Sequence, residues 1–239
     1  MLASFPPSSL ALVIGSTGGI GAALLAQLES GALFAKVCAL SRASQPALDL
    51  LDEASIAQAA QQLAAVMQEF GLDLRLVVDA TGTLSGNGYA PEKSWRQLDA
   101  AQMAHAFAIN AIGPALLMKH FLPLLPKQGK AVFATLSAKV GSIGDNRLGG
   151  WYSYRASKAA LNQLVHTAAI ELRRSQPDAI CVALHPGTVA TALSAPFAKT
   201  GLDVQPPDVA AARLLKMLDG LSGADSGGFF NHDGSALPW

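Results

Sequence analysis

A single α/β domain, built as one doubly wound parallel sheet with helices on both faces, is what this 239-residue chain predicts. Three observations lead there. Short apolar runs without polar alternation recur along the chain, as expected of strands buried on both faces. Segments with apolar residues at three-and-four spacing separate them, which is the period of a helix covering a core. The first apolar run turns through glycines directly into a helical segment, the opening of a βαβ unit.

In chain order, residues 1–9 form a short tail with Pro6 and Pro7 and no basic residue, unlike a targeting segment. The domain proper spans 10–239. Residues 10–14 read as the first strand, and 22–28 as the helix that follows the glycine turn. Residues 34–40 are a second strand, 56–70 a helix, and 74–78 a strand closed by Asp79, Ala80, Thr81 and Gly82. Asp99 caps a long helix running toward Leu125. Residues 131–136 are taken as the fifth strand and 180–184 as the sixth. A helix over 153–174 carries Leu161, Leu164, Val165, Ala168, Ala169 and Leu172 at helical spacing. Residues 209–218 are helical, and 228–231 form a last edge strand. In such a sheet, ligands bind at the carboxyl ends of the strands.

Composition narrows the function. Apolar residues make up 51% of the chain, enough for one substantial core, so no second domain is required. Charged residues are only 14% and the formal net charge is zero, which leaves no electrostatic footprint for nucleic acid or an anionic membrane. Weakly polar helix faces instead favour an oligomer. No run approaches the length of a membrane span. Cys38 and Cys181 fall in apolar runs, so both read as buried free thiols in a reducing, cytoplasmic compartment. The five histidines have no metal-ligand spacing, and no metal site is expected.

Two constellations carry chemistry. Tyr154 and Lys158 stand four apart at the start of a helix, so phenol and ammonium share one face. A neighbouring cation favours the ionised phenol and lowers its pKa, making Tyr154 a candidate general acid or base. The turn from Gly15 through Gly19 and Gly21 leads from a strand to a helix N-terminus, where bare backbone and the helix dipole cradle phosphate. Pro114 adds a third signal. It lacks an N–H, so the carbonyl of Asn110 loses its helical partner, and a water on that carbonyl would extend a proton path from the lysine.

Together these residues resemble the short-chain dehydrogenase/reductase family, with its Rossmann-type fold. Gly15, Gly19 and Gly21 match its G-x-x-x-G-x-G turn, and Tyr154 and Lys158 its Y-x-x-x-K. Asn110 matches its helix asparagine, and Pro186 with Gly187 its Pro-Gly. The match covers nearly the whole chain in order. Asn110 to Pro114, Gly141 to Ile143 and Gly149 to Tyr154 are similar to the C-factor-like branch.

The resemblance implies catalytic roles for Asn110, Tyr154, Lys158 and a serine. The family's second Ser of a pair is Ala138 here, so Ser137 is the candidate and Ser142 the alternative. It implies cofactor contacts from Gly15, Ser16, Thr17, Gly19, Ile20 and Gly21. Asp49 and Leu50 would flank the adenine, and Ala80, Thr81 and Gly82 correspond to the family's Asn-Asn-Ala-Gly loop. Pro186, Gly187 and Val189 would also contact the cofactor, and Thr188 and Thr191 would hold its carboxamide, beside Asn110, Tyr154 and Lys158. At the tip of the second strand, Ser41 and Arg42 replace any acidic residue, which suits a 2′-phosphate and favours NADP(H), with NAD(H) as the alternative.

The expected function is reversible carbonyl reduction or alcohol oxidation on a small molecule. The other reading is a cofactor-binding signalling or developmental protein of the C-factor type, with little turnover. Stretches 85–95, 141–150 and 194–206, with Tyr89, Trp151 and Phe197, would form an apolar substrate wall. Small residues on the two long helices, including Ala156, Ala160, Asn162, Gln163, Ala111, Ala115 and Met118, predict helix-to-helix contact across a two-fold axis. The assembly would be a homodimer or homotetramer.

Overall fold

The computed structural model describes residues 2–86, 88–197 and 204–239. Their principal sheet has six strands: β1 (Ser9–Ile14), β2 (Lys36–Leu40), β3 (Asp73–Asp79), β4 (Ala131–Leu136), β5 (Ala179–His185) and β8 (Phe229–Asn231). Their spatial order is β2-β1-β3-β4-β5-β8, and every pairing is parallel. The predicted doubly wound fold is therefore the observed one. After β1 the chain passes to β2 on one side, then crosses to β3 on the other, opening a crevice between the β1 and β3 tips.

Side chains alternate cleanly across the sheet. Leu10, Leu12, Ile14, Phe133 and Cys181 face one core with α2 (Glu53–Phe70), α4 (Gly113–Phe121) and α5 (Tyr152–Ser175). Ala11, Val13, Val132, Ala134, Ile180 and Val182 face a second core with α1 (Gly19–Ser30) and α6 (Pro207–Gly220). Strands buried on both faces explain the continuous apolar runs. In β3 the register with β1 shifts between Leu10 and Ala11, so Arg75 is the extra residue and Leu74 and Val77 face the same core.

The structure corrects several expected details. Residues 131–136 are the fourth strand and 179–185 the fifth, because no described residue between Asp79 and Ala131 joins the sheet. The chain there forms a loop, then α3 (Ala100–Phe107). Cys38 is half-buried; only Cys181 is fully buried, and both are free. The long helix is interrupted: a π-helical turn over Ala108–Ile112 joins α3 to α4, and Gly113 N–H reaches back to Ala108 O. That wide turn sits where Pro114 removes a donor. The whole run Ala100–Leu124 is 25 residues and apolar enough by length and composition to cross a membrane, contrary to the sequence estimate. Its apolarity covers the sheet, with Leu117 and Phe121 fully buried. A small second sheet pairs β6 (Thr188–Val189) with β7 (Val204–Gln205).

Candidate active site

Most of the predicted residues lie around the carboxyl ends of the strands. At the β1 tip, Gly15 has φ +80°, and a Cβ there would meet the Ala80 main chain at 3.0–3.1 Å. A Cβ on Gly21 would lie 2.2 Å from Gly15 O, and one on Gly19 would lie 2.6 Å from the Thr191 methyl. These positions thus exclude any side chain. Among the described residues the α1 N-terminus has no side-chain cap, and its first turn has no acidic residue, so its dipole and donors suit an anion. Ser16, beside it, is nearly buried and its hydroxyl donates to Leu40 O at 3.3 Å.

From this turn a cleft of about 410 Å³ runs along the sheet, within the size range of small-molecule sites. It is lined by Gly15, Thr17, Ser41, Arg42, Asp49, Leu50, Ala80, Thr81, Gly82 and Ile109, together with Leu48, Leu51, Thr83, Ser85, Gly86, Gly18 and His105. Arg42 is exposed at its rim. The Asp49 carboxylate accepts from Leu51 N at 3.0 Å. Thr191 lies over the α1 N-terminus rather than along this cleft, and Ser194 ties to its amide at 3.1 Å. Pro186 and Gly187 form the turn after β5, where Gly187 has φ +81° and a Cβ would collide with Gln205 and His232. An open phosphate cradle, a basic rim and no acidic residue at the β2 tip suit a dinucleotide phosphate group.

Tyr154 and Lys158 share one face of α5 as predicted, with Lys158 Nζ 6.0 Å from the phenol ring centre. The chain enters this helix through Gly149, Gly150 and Trp151 at φ +64°, +68° and +54°. Arg155 fixes that left-handed turn by donating to Gly150 O, Gly149 O and Val140 O at 2.9–3.2 Å. Trp151 packs edge-on to Tyr154 (6.2 Å) and to Phe197 (5.3 Å), so these aromatics of the expected substrate wall do converge. Residues 87 and 198–203 of that wall lie outside the described residues.

The electrostatics differ from expectation. Burial pushes the Tyr154 phenol up to about 12, and burial lowers Lys158 to about 8 against the opposing pull of Asp79. The lysine thus does not depress the phenol in this state. Its ammonium donates instead to Leu136 O at 2.7 Å.

Asn110 is fully buried. Its amide bridges the main chain of Thr83 in both directions at 2.8 Å and donates to Ser157 Oγ at 3.1 Å. It therefore fixes the loop that ends in Gly82, where a Cβ would lie 3.4 Å from both Asn110 Oδ1 and Lys158 Nζ. Ser137 sits at the β4 end, but its hydroxyl donates to Asn162 Oδ1 at 2.6 Å. Ser142 accepts from Asp145 N at 3.0 Å and contacts Trp239 O at 3.4 Å. Neither serine borders the cleft, and Asn162 is buried rather than on the outer face.

Sequence reasoning missed the roles of Glu92, His105 and Asn162. Glu92 is 2% exposed; its carboxylate accepts from the Ser153 N–H and hydroxyl, capping α5 from a distant loop. It lines a small recess with Tyr154, Tyr89 and His105. The Tyr89 and His105 rings pack tilted by 37° with centroids 5.6 Å apart. The third, Asn162, is the partner of Ser137. A buried Glu 61 residues from its partner leaves no periodic signal.

Comparison with known proteins agrees with this geometry. Residues 9–201 match the short chain dehydrogenase family. The chain is 32% identical to 1-hydroxy-2-glutathionyl-2-methyl-3-butene dehydrogenase of Rhodococcus sp. (strain AD45), covering 97% of this chain and 100% of that protein. It is 38% identical to the C-signal of Myxococcus xanthus over 143 residues, 59% of this chain and 81% of the other. The NADPH-bound carbonyl reductase from chicken fatty liver superposes with a TM-score of 0.83 at 28% identity, covering 96% and 94% of the two chains. The glycine turn, the Tyr154–Lys158 face and these likenesses converge: the chain belongs to the short-chain dehydrogenase family, in a branch similar to C-signal.

Proposed function

We propose that the protein is an NADP(H)-dependent oxidoreductase that interconverts a carbonyl compound and an alcohol, with Tyr154 as general acid and base. The observation that carries this reading is the placement of Tyr154 and Lys158 on one face of α5, where Tyr154 lines a recess that shares Thr83, Ser85, Gly86 and His105 with the cleft holding Arg42, and Lys158 Nζ lies beside Gly82 of that cleft. Similarity to an NADPH-bound carbonyl reductase supports the cofactor and the reaction class.

A bound nicotinamide would supply or accept the hydride. The chain's own residues then handle position and protons. The α1 N-terminus and the Gly15–Gly19–Gly21 turn hold phosphate, and Arg42 pairs with a 2′-phosphate as a charge-assisted donor. Tyr154, a phenol whose proton burial holds more tightly still, gives that proton to the carbonyl oxygen as charge develops there. Lys158, on the same face of α5, is the cation that would stabilise the phenolate left behind and hold ribose hydroxyls. The Asn110 main-chain carbonyl, denied a helical donor by Pro114, is the acceptor for a water that reprotonates the site. Ser137 is the candidate donor to the substrate oxygen once its hydroxyl leaves Asn162.

The test is consumption of NADPH and of NADH with a panel of aldehydes and ketones. NADPH-dependent turnover supports the proposal; no turnover of any carbonyl contradicts it. Similarity to C-signal favours one other reading, a cofactor-binding signalling protein with little turnover. Tight NADPH binding without reduction of any panel member selects that reading.

A further inference from the structure

The acid at the foot of the site has no role in the chemistry above. Asp79 ends β3 and is fully buried. Oδ1 accepts from the Thr81 N–H at 3.0 Å and the Thr81 hydroxyl at 2.6 Å, and Oδ2 accepts from the Thr135 hydroxyl at 2.6 Å. Burial pushes the Asp79 carboxyl above the usual carboxylate range, and the three donors converging on its two oxygens, with Lys158 beyond them, pull it back toward the ionised form, which only accepts. Yet no cation among the described residues touches it as a salt bridge. A buried, hydrogen-bonded charge without a counter-charge is costly.

Lys158 is the complementary case. It is buried, and Nζ spends one proton on Leu136 O, a neutral acceptor. Leu136 directly follows Thr135 in β4, so consecutive residues of one strand hold the acid and the base. The loop from Asp79 also passes beside the ammonium, since a Cβ on Gly82 would stand 3.4 Å from Nζ. Of the charged groups around Lys158, Asp79 is the one that pulls its pKa back up against burial. The others are placed or spent differently. Tyr154 on the same helix is a neutral phenol, Glu92 is taken by Ser153, Lys139 faces Asp145 at 3.6 Å, and His105 on α3 packs against Tyr89. Asn110, from the π turn, is neutral.

We propose that Asp79 is the counter-ion of Lys158, a positioning residue whose charge, held by Thr81 and Thr135, keeps the ammonium protonated in its dry site. The aligned position in the family loop is an asparagine, so this is a feature of the chain itself. The effect on turnover rests on the reading of Tyr154 and Lys158 given above. The electrostatic pairing does not.

The experiment is NMR titration of lysine Nζ in the intact protein, with the Lys158 signal identified by its loss in Lys158→Met. In the wild type it should titrate near 8, and in Asp79→Asn about one pH unit lower, the scale expected for losing a near opposite charge. Asn is isosteric, and the threonine hydroxyls can turn to accept from its amide. An unchanged midpoint overturns the proposal. Should Asp79→Asn fail to fold, the wild type still decides. Its Lys158 signal must show a second inflection on the acid side, where Asp79 takes a proton, and a flat signal overturns the pairing. The basic limb of NADPH-dependent reduction should move with the lysine midpoint. A moved midpoint with an unmoved limb supports the pairing and counts against the catalytic assignment of Lys158.

Discussion

The ammonium of Lys158 stands 6.0 Å from the centre of the Tyr154 ring and donates to the Leu136 carbonyl at 2.7 Å. The tyrosine is thus flanked by a cation whose nearest protein acceptor is neutral, in a site dry enough to push the phenol up to about 12 and the amine down to about 8. In that state the phenol is neutral and carries the proton that the proposed reduction would use.

Stability should report the buried amine. Lys158 is lowered from 10.5 unfolded to about 8 folded, so between these values the unfolded chain binds more protons and stability rises with pH. Below pH 8 both states are protonated and the penalty is present in full. Relative to Lys158→Met, the cofactor-free wild type should gain about 3 kcal/mol between pH 8 and 10.5. Denaturant melts of both proteins across that window check it. A constant difference would mean the amine is hydrated.

The serine assignment is open to direct comparison. Ser137→Ala should lower turnover well beyond Ser142→Ala, because Ser137 sits at a strand end while Ser142 braces the main chain of Asp145. The buried Nδ2 of Asn162 has no partner, so a turned amide could donate to Ser137 and release its hydroxyl proton. Turnover numbers of both variants under saturating substrate decide the ranking. The reverse order would move the role to Ser142.

How far the sequence was legible depended on the range of each interaction. The glycine turn, the Tyr154–Lys158 face and the helix defect at Pro114 are local, and their spacing alone located them. The defect became a π turn because the chain widened one turn to place Gly113 N–H on Ala108 O. Asn162 on Ser137, Glu92 on Ser153 and Asp79 on Thr135 join residues 25, 61 and 56 apart, and no periodicity encodes such pairs. The pKa directions were misread for the same reason. A one-dimensional pattern shows the charge beside the phenol but not the burial that outweighs it.

Assembly follows from α4 and α5. Ile112, at the end of the π turn before α4, and Leu164 and Ile170 on α5 are exposed apolar residues, with Gln163 and Thr167 exposed beside the latter. Several small residues expected on that face, Ala111 and Met118 among them, are instead buried. We expect a dimer or tetramer through this face. Light scattering should return a multiple of the 24.6 kDa chain, and Ala160→Glu with Gln163→Glu should reduce it to the monomer. A monomeric wild type would rule the interface out.

Cofactor choice should reside at the β2 tip. Arg42→Ala is expected to weaken NADPH binding about tenfold while leaving NADH nearly unchanged, the scale of one charge-assisted pair at an exposed rim. Fluorescence titration of both cofactors measures this. Equal loss for both would place the 2′-phosphate elsewhere.

The central claim is that Tyr154 moves the proton, and one substitution addresses it most directly. Tyr154→Phe should keep NADPH affinity while losing roughly 10²–10⁴-fold in turnover, the range for a positioned acid or base. Tyr152→Phe, without a lysine four residues on, should retain near wild-type rates. Steady-state reduction of the best carbonyl substrate by the three proteins gives the answer. Full activity in Tyr154→Phe, or its loss in Tyr152→Phe instead, would contradict the account.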